Sequence, residues 1–121
     1  MEQRKEALYT AFGELLYAVS MVDGEVQLEE AKKIATLIKD FPGAKDIEWS
    51  FEYEFDHKKT VEEAYQSALN VCKWYGPSED YDFLFKILQE VSQANPTMNA
   101  KEKALINRFR TDLQEYFSTL Q

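Results

Sequence analysis

Residues 15–34 read LLYAVSMVDGEVQLEEAKKI, and residues 87–106 read ILQEVSQANPTMNAKEKALI. The second stretch is the first displaced by 72 positions. Leu15, Leu16, Val19, Val26, Glu30 and Ile34 return as Ile87, Leu88, Val91, Met98, Glu102 and Ile106. Between positions 9 and 41, seven residues recur identically: Tyr9, Leu16, Val19, Ser20, Glu30, Ile34 and Asp40. Average composition gives roughly two such matches by chance. The repeat predicts two similar helical hairpins facing each other across one core.

Around those hairpins the pattern is helical. Leu8, Ala11, Phe12, Leu15, Leu16, Val19 and Val22 keep a 3.6-residue period, with Glu6, Glu14 and Ser20 off that stripe. Asp23-Gly24 breaks the first helix. A second runs from about Leu28 to Asp40, with Ala31, Ile34, Ala35, Ile38 and Phe41 inward, and Pro42-Gly43 stops it. In the second hairpin, Leu84, Ile87, Leu88, Val91 and Ala94 form one stripe before Asn95-Pro96. Leu105, Ile106, Phe109, Leu113 and Phe117 form the other, after a cap at Asn99 with Glu102 at the third helical position.

The central segment, residues 42–78, carries two signals. Ile47, Trp49, Phe51, Tyr53 and Phe55 alternate with polar residues, which suits a strand. Yet 47, 51 and 55 also suit one helix face, and a lone strand would have no partner for its backbone groups. Helix is therefore expected. Thr60-Val-Glu-Glu63 is a capping box opening a helix that carries Val61, Ala64, Tyr65, Ala68, Leu69 and Cys72 and ends at Gly76-Pro77. The fold class is thus all-α: one domain over residues 1–121, a helical bundle of two pseudo-repeated hairpins at about 7–41 and 79–117.

Composition bounds the partners. The 121 residues carry a net charge of −8, which disfavours phosphate backbones and anionic membranes. No apolar run approaches the roughly 18–20 residues of a membrane span. The N-terminus MEQRKEALY lacks a signal-peptide core, so a cytoplasmic protein is expected. The single cysteine, Cys72, excludes an internal disulfide and reads as a buried thiol. Seventeen aromatic residues predict an aromatic-rich core; Trp74-Tyr75, at a helix end before Gly76-Pro77, suits either an exposed aromatic patch or core packing, and core packing is expected.

Chemistry is sparse. His57, the only histidine, lies between Asp56 and Lys58-Lys59 and reads as a solvated loop residue with no paired nucleophile. No P-loop, dinucleotide fingerprint or Gly-x-Ser-x-Gly occurs, so no enzyme is expected. The first hairpin turn gathers acids at 23, 25, 29 and 30 with no base before Lys32. As an EF-hand it half fits: Gly24 at loop position 6 puts Val26 at 8 and Glu30 at 12. Positions 1 and 3 would then be Val19 and Met21, which cannot ligate calcium. A weakly held divalent cation shared by Asp23, Glu25 and Glu30 is the metal reading; a turn and a helix-end acid explain the same residues without an ion.

An apolar helix, an Asp-Gly turn, an apolar residue and a Glu six after the Gly resemble the tellurite-resistance protein B (TerB-like) family. Asp23, Gly24 and Glu30 match the first motif and Glu102 the Glu of the second, whereas Asn95-Pro96 departs from the second Asp-Gly. The resemblance implies a small helical bundle and a stress-linked, non-catalytic accessory module that binds a protein partner and a divalent cation. The competing reading is a plain adaptor or oligomerisation module with no metal site; a hydrolase using clustered carboxylates is a distant third.

Overall fold

A computed structural model describes the backbone of residues 2–22, 28–94 and 100–119, and the side chains of 4–22, 32–90 and 100–119. Within these residues there are six helices and no strand: α1 Glu2–Met21, α2 Leu28–Ile38, α3 Ala44–Asp56, α4 Val61–Tyr75, α5 Asp80–Ala94 and α6 Ala100–Thr119. The all-α expectation holds, and residues 42–77, wholly described, contain no sheet.

Helix α1 is the axis. At 20 residues it spans about 30 Å. Every residue from Leu15 to Ser20 is buried, so this part of the helix is enclosed on all sides. Its main neighbours are α3 and α4, while α2 packs on α5 and α6 on α4. The central segment therefore supplies the two helices that clasp α1. Enclosure also changes the reading of Ser20: it is fully buried, not off the stripe.

Close approach between α1 and α3 depends on Gly13. A Cβ there would lie 2.5 Å from the Ile47 carbonyl oxygen and 2.7 Å from the Ser50 Cβ. Beside it, the Ser50 hydroxyl donates to the Thr10 carbonyl at 2.7 Å. Aromatic edges lock the remaining seams. Tyr65 meets Phe109 edge-on at 5.6 Å across α4 and α6. Phe41, after α2, stacks on Phe83 of α5 at 4.0 Å.

Local signals hold the ends in place. The capping box is complete: the Glu63 amide donates to the Thr60 hydroxyl, and the Thr60 amide to the Glu63 carboxylate, both at 3.0 Å. At the far end of α4, Gly76 adopts φ +95°, and the Tyr81 hydroxyl donates to the Cys72 and Gly76 carbonyls at 3.0 and 2.7 Å. Helix α3 ends in a Schellman motif. The Lys59 amide donates to the Glu54 carbonyl and the Lys58 amide to the Phe55 carbonyl, each at 3.2 Å. Lys58 occupies the left-handed position, φ 52°, where glycine is usual.

Two further expectations are corrected. Ala35 is exposed rather than inward, because α2 meets the core through Ile34 and Ile38. In α3 the buried set is Ala44, Ile47, Ser50 and Glu54 with half-buried Phe51, while Phe55 is exposed. At 100° per residue, position 55 lies about 80° from 47, whereas 47, 50, 51 and 54 share an arc of about 100°.

Candidate functional site: the exposed face of helix α3

Burying the 47–50–51–54 arc fixes what α3 shows to solvent. Trp49 is 61% exposed, Phe55 52% and Tyr53 39%. Trp49, Tyr53 and His57 recur every four residues, so their rings lie in one row. Trp49 and Tyr53 stack at 5.2 Å with an interplanar angle of 29°, and Tyr53 and His57 at 3.9 Å and 20°. The His57 Nδ1 also lies 2.8 Å from the Tyr53 carbonyl oxygen. His57 is thus exposed, as expected, but at the helix end and held in a stack.

Beside the row runs a second one. Glu48, Glu52 and Asp56 are exposed and recur at the same spacing, between the aromatic row and Phe55 on the helix surface. Lys45 and Lys58 stand at its two ends. Among the described residues the ion pairs are Lys5–Asp80, Arg108–Glu62 and Arg108–Asp112, none on this face.

Some aromatic rings elsewhere are covered by cations. The Arg4 guanidinium stands 5.6 Å from the Trp74 ring centroid and 4.6 Å from that of Tyr75. Lys73 covers Tyr116 at 5.2 Å and Arg110 covers Phe85 at 4.5 Å. Trp74 is 62% exposed, which corrects the expectation that it packs in the core; its helix ends there and Tyr75 takes the inward place. Among the described residues, no cation covers Trp49, Tyr53 or Phe55.

Behind α3 lies a polar cluster. Glu54 is buried, and Glu14 accepts a hydrogen bond from the Ser67 hydroxyl at 2.8 Å. Burial pushes both carboxyls above the usual range; Ser67 and Lys59 oppose this for Glu14, Lys59 and His57 for Glu54. Tyr17 closes the cluster by donating to the Lys59 carbonyl at 2.7 Å. Burial likewise pushes the Cys72 thiol up to about 12, which keeps it protonated and inert, as its position on the apolar stripe suggested.

A groove of about 580 Å³ opens between α5 and α6, floored by Tyr81, Phe85, Leu113 and Phe117 and edged by Lys86 and Arg110. Ser78 and Asp82 also line it.

The expected metal residues cannot be placed: Asp23 and Glu25 lie outside the described residues, as does the side chain of Glu30. Among the described residues no three His, Cys, Asp or Glu side chains converge as a metal site requires. Glu102 lies in the first turn of α6, as expected, and is fully buried.

No protein-family model, curated protein or solved structure matches this chain. The TerB resemblance rests on its short motif. Sequence reasoning passed over Trp49 and Tyr53 because it treated the aromatic residues as core. The available signal was a row of three acids at i, i+4 spacing running beside a row of three rings at the same spacing, which belongs to a solvent-facing helix side.

Proposed function

We propose that this protein is a non-catalytic binding module that docks a partner protein on the exposed face of α3. The observation that carries the reading is the stacked row Trp49–Tyr53–His57, with Phe55 across the helix. Stacking fixes the rings before any partner arrives, so little side-chain entropy remains to be lost on binding. Trp and Tyr are the residues that most often anchor interfaces. A binding role also accords with the chemistry available: a histidine committed to a stack and a thiol held protonated.

The stress-linked accessory role implied by the TerB resemblance is a narrower version of this reading. It rests on Asp23, Gly24, Glu30 and Glu102 in the sequence. Its cation would belong at the first hairpin turn, with Asp23, Glu25 and Glu30.

A photo-reactive phenylalanine at position 53, and another at exposed Glu115 of α6 as control, tests the docking face in cells. The expected result is a discrete adduct from position 53 alone. The captured partner, once purified, should bind the wild type and lose binding to Trp49→Ala/Tyr53→Ala, with folding unchanged. Equal binding by the two forms would remove α3 as the docking face.

A further inference from the structure

We propose that the partner presents a cationic helical segment, with arginine or lysine side chains one turn apart, to the acid row Glu48–Glu52–Asp56 and the free face of Trp49. This deepens the docking reading and rests on it.

Three features of the face select that chemistry. The acids repeat every four residues, about 6 Å apart along the helix, which is the spacing of cations at i, i+4 and i+8 on a facing helix. Tyr53 has one ring face against Trp49 and the other against His57, so its faces are occupied. Trp49 ends the stack, 61% exposed and stacked on Tyr53 alone, and an indole ring attracts a guanidinium or ammonium more strongly than any other side-chain ring.

The rest of the molecule supplies the comparison. Trp74, as exposed as Trp49, is covered by Arg4 from its own chain. The rings of Tyr116 and Phe85 are likewise covered, by Lys73 and Arg110. Only on α3 do exposed rings lie beside a row of acids with no cation over them, among the described residues. Lys45 and Lys58 flank the row, yet three acids face two lysines and neither lysine covers a ring, so the face keeps room for a partner's cation, which a net charge of −8 draws in from a distance.

A second copy of this chain fits less well. Two α3 faces brought together would press the acid rows toward each other, and like charges across an interface repel. Nucleic acid is disfavoured by the same acids.

The test uses the full chain with Trp74→Phe, which leaves Trp49 as the one indole reporter, since the sequence has two tryptophans. Three 18-residue helical peptides on one alanine-rich scaffold carry arginine, glutamine or glutamate at every fourth position. The arginine peptide should shift Trp49 emission saturably and move backbone amide resonances within 48–57. Binding should weaken about tenfold in the Glu48→Gln/Glu52→Gln/Asp56→Asn variant, because three exposed pairs at a few tenths to 1 kcal/mol each sum to that factor. It should weaken similarly between 0.05 and 0.5 M salt. The three acids are exposed, so an unchanged melting temperature verifies that the variant is folded.

Equal affinity for the glutamine and arginine peptides would overturn the cationic partner and leave the docking face intact. Self-association lost on Trp49→Ala would name a second copy as occupant and also overturn it. Arginine-peptide shifts spread over other acidic helices would do the same. No binding by any peptide and no self-association would remove both the cationic partner and the docking reading.

Discussion

Gly13 of α1 passes so close to Ile47 of α3 that a methyl group on Gly13 would lie 2.5 Å from the Ile47 carbonyl oxygen. Glycine inside a helix ordinarily lowers stability by about 1 kcal/mol relative to alanine. Here the contact reverses the sign, because the obstacle is backbone and cannot turn aside. Gly13→Ala should destabilise by about 1–3 kcal/mol, as overpacked cores do. Urea denaturation checks this, and a gain in stability would mean that α1 and α3 are further apart.

Lys58 should behave in the opposite way. A non-glycine residue in the left-handed region costs about 1–2 kcal/mol, and glycine recovers part of it against a larger loss of unfolded-state entropy. Lys58→Gly should therefore raise stability by roughly 0.5–1 kcal/mol. Thermal melts of the two forms decide it; a loss would show that the Lys58 side chain contributes more than its backbone costs.

Ile34 and Ile106, the repeat-related pair, are both buried. Truncating either to alanine should cost about 2–5 kcal/mol. A loss below roughly 1 kcal/mol at either site, the range of surface changes, would contradict a shared core role.

The carboxyl of Glu54 gives a pH dependence with a definite sign. Its folded value is raised by burial, so the folded state binds its proton more tightly than the unfolded chain does. Stability from this group is present while it is protonated and falls as pH rises from the unfolded value through the folded one. Glu54→Gln should thus melt higher than the wild type at pH 8, with the gap closing near pH 4. Glu62 runs the other way: the Arg108 guanidinium, donating at 2.9 and 3.0 Å, lowers it to about 2. Its contribution is complete above the unfolded carboxylate range and fades as pH falls toward 2, and its exposure keeps it small. Melting temperatures of the wild type, Glu54→Gln and Glu62→Gln from pH 2 to 8 separate the two.

Cation binding at the first turn is checked by calorimetry with Ca²⁺, Mg²⁺, Mn²⁺ and Zn²⁺. The wild type should bind, and Asp23→Asn/Glu30→Gln should bind less, since the amides keep hydrogen-bonding shape but lose charge. No heat at millimolar metal, or equal heat from both forms, would leave only a turn and a helix end at those positions.

Helix identity was readable where local chemistry decides it. The Thr60–Glu63 box needs only four residues in a row to satisfy two orphan amides, and both bonds are present. The apolar stripe of α4 at Ala64, Tyr65, Ala68, Leu69 and Cys72 follows from a 3.6-residue period alone, and all five are buried. Even the ambiguous 47–55 stretch resolved as helix, because a single strand could not satisfy its own backbone.

Tertiary structure decided which helix faces meet. Nothing local distinguishes Ser20 from any polar residue at the edge of an apolar stripe; enclosure by neighbouring helices buries it. Nothing local places Phe55 outside and Ser50 and Glu54 inside; the Gly13 contact does, by setting the rotation of α3 against α1. That rotation leaves Trp49, Tyr53 and the three acids in solvent. Sequence alone determined the helices, the Thr60 cap and the acidic surplus, since these depend on neighbours within a few positions. The candidate site is a by-product of packing between elements some 35 residues apart, where shape rather than periodicity selects the buried side.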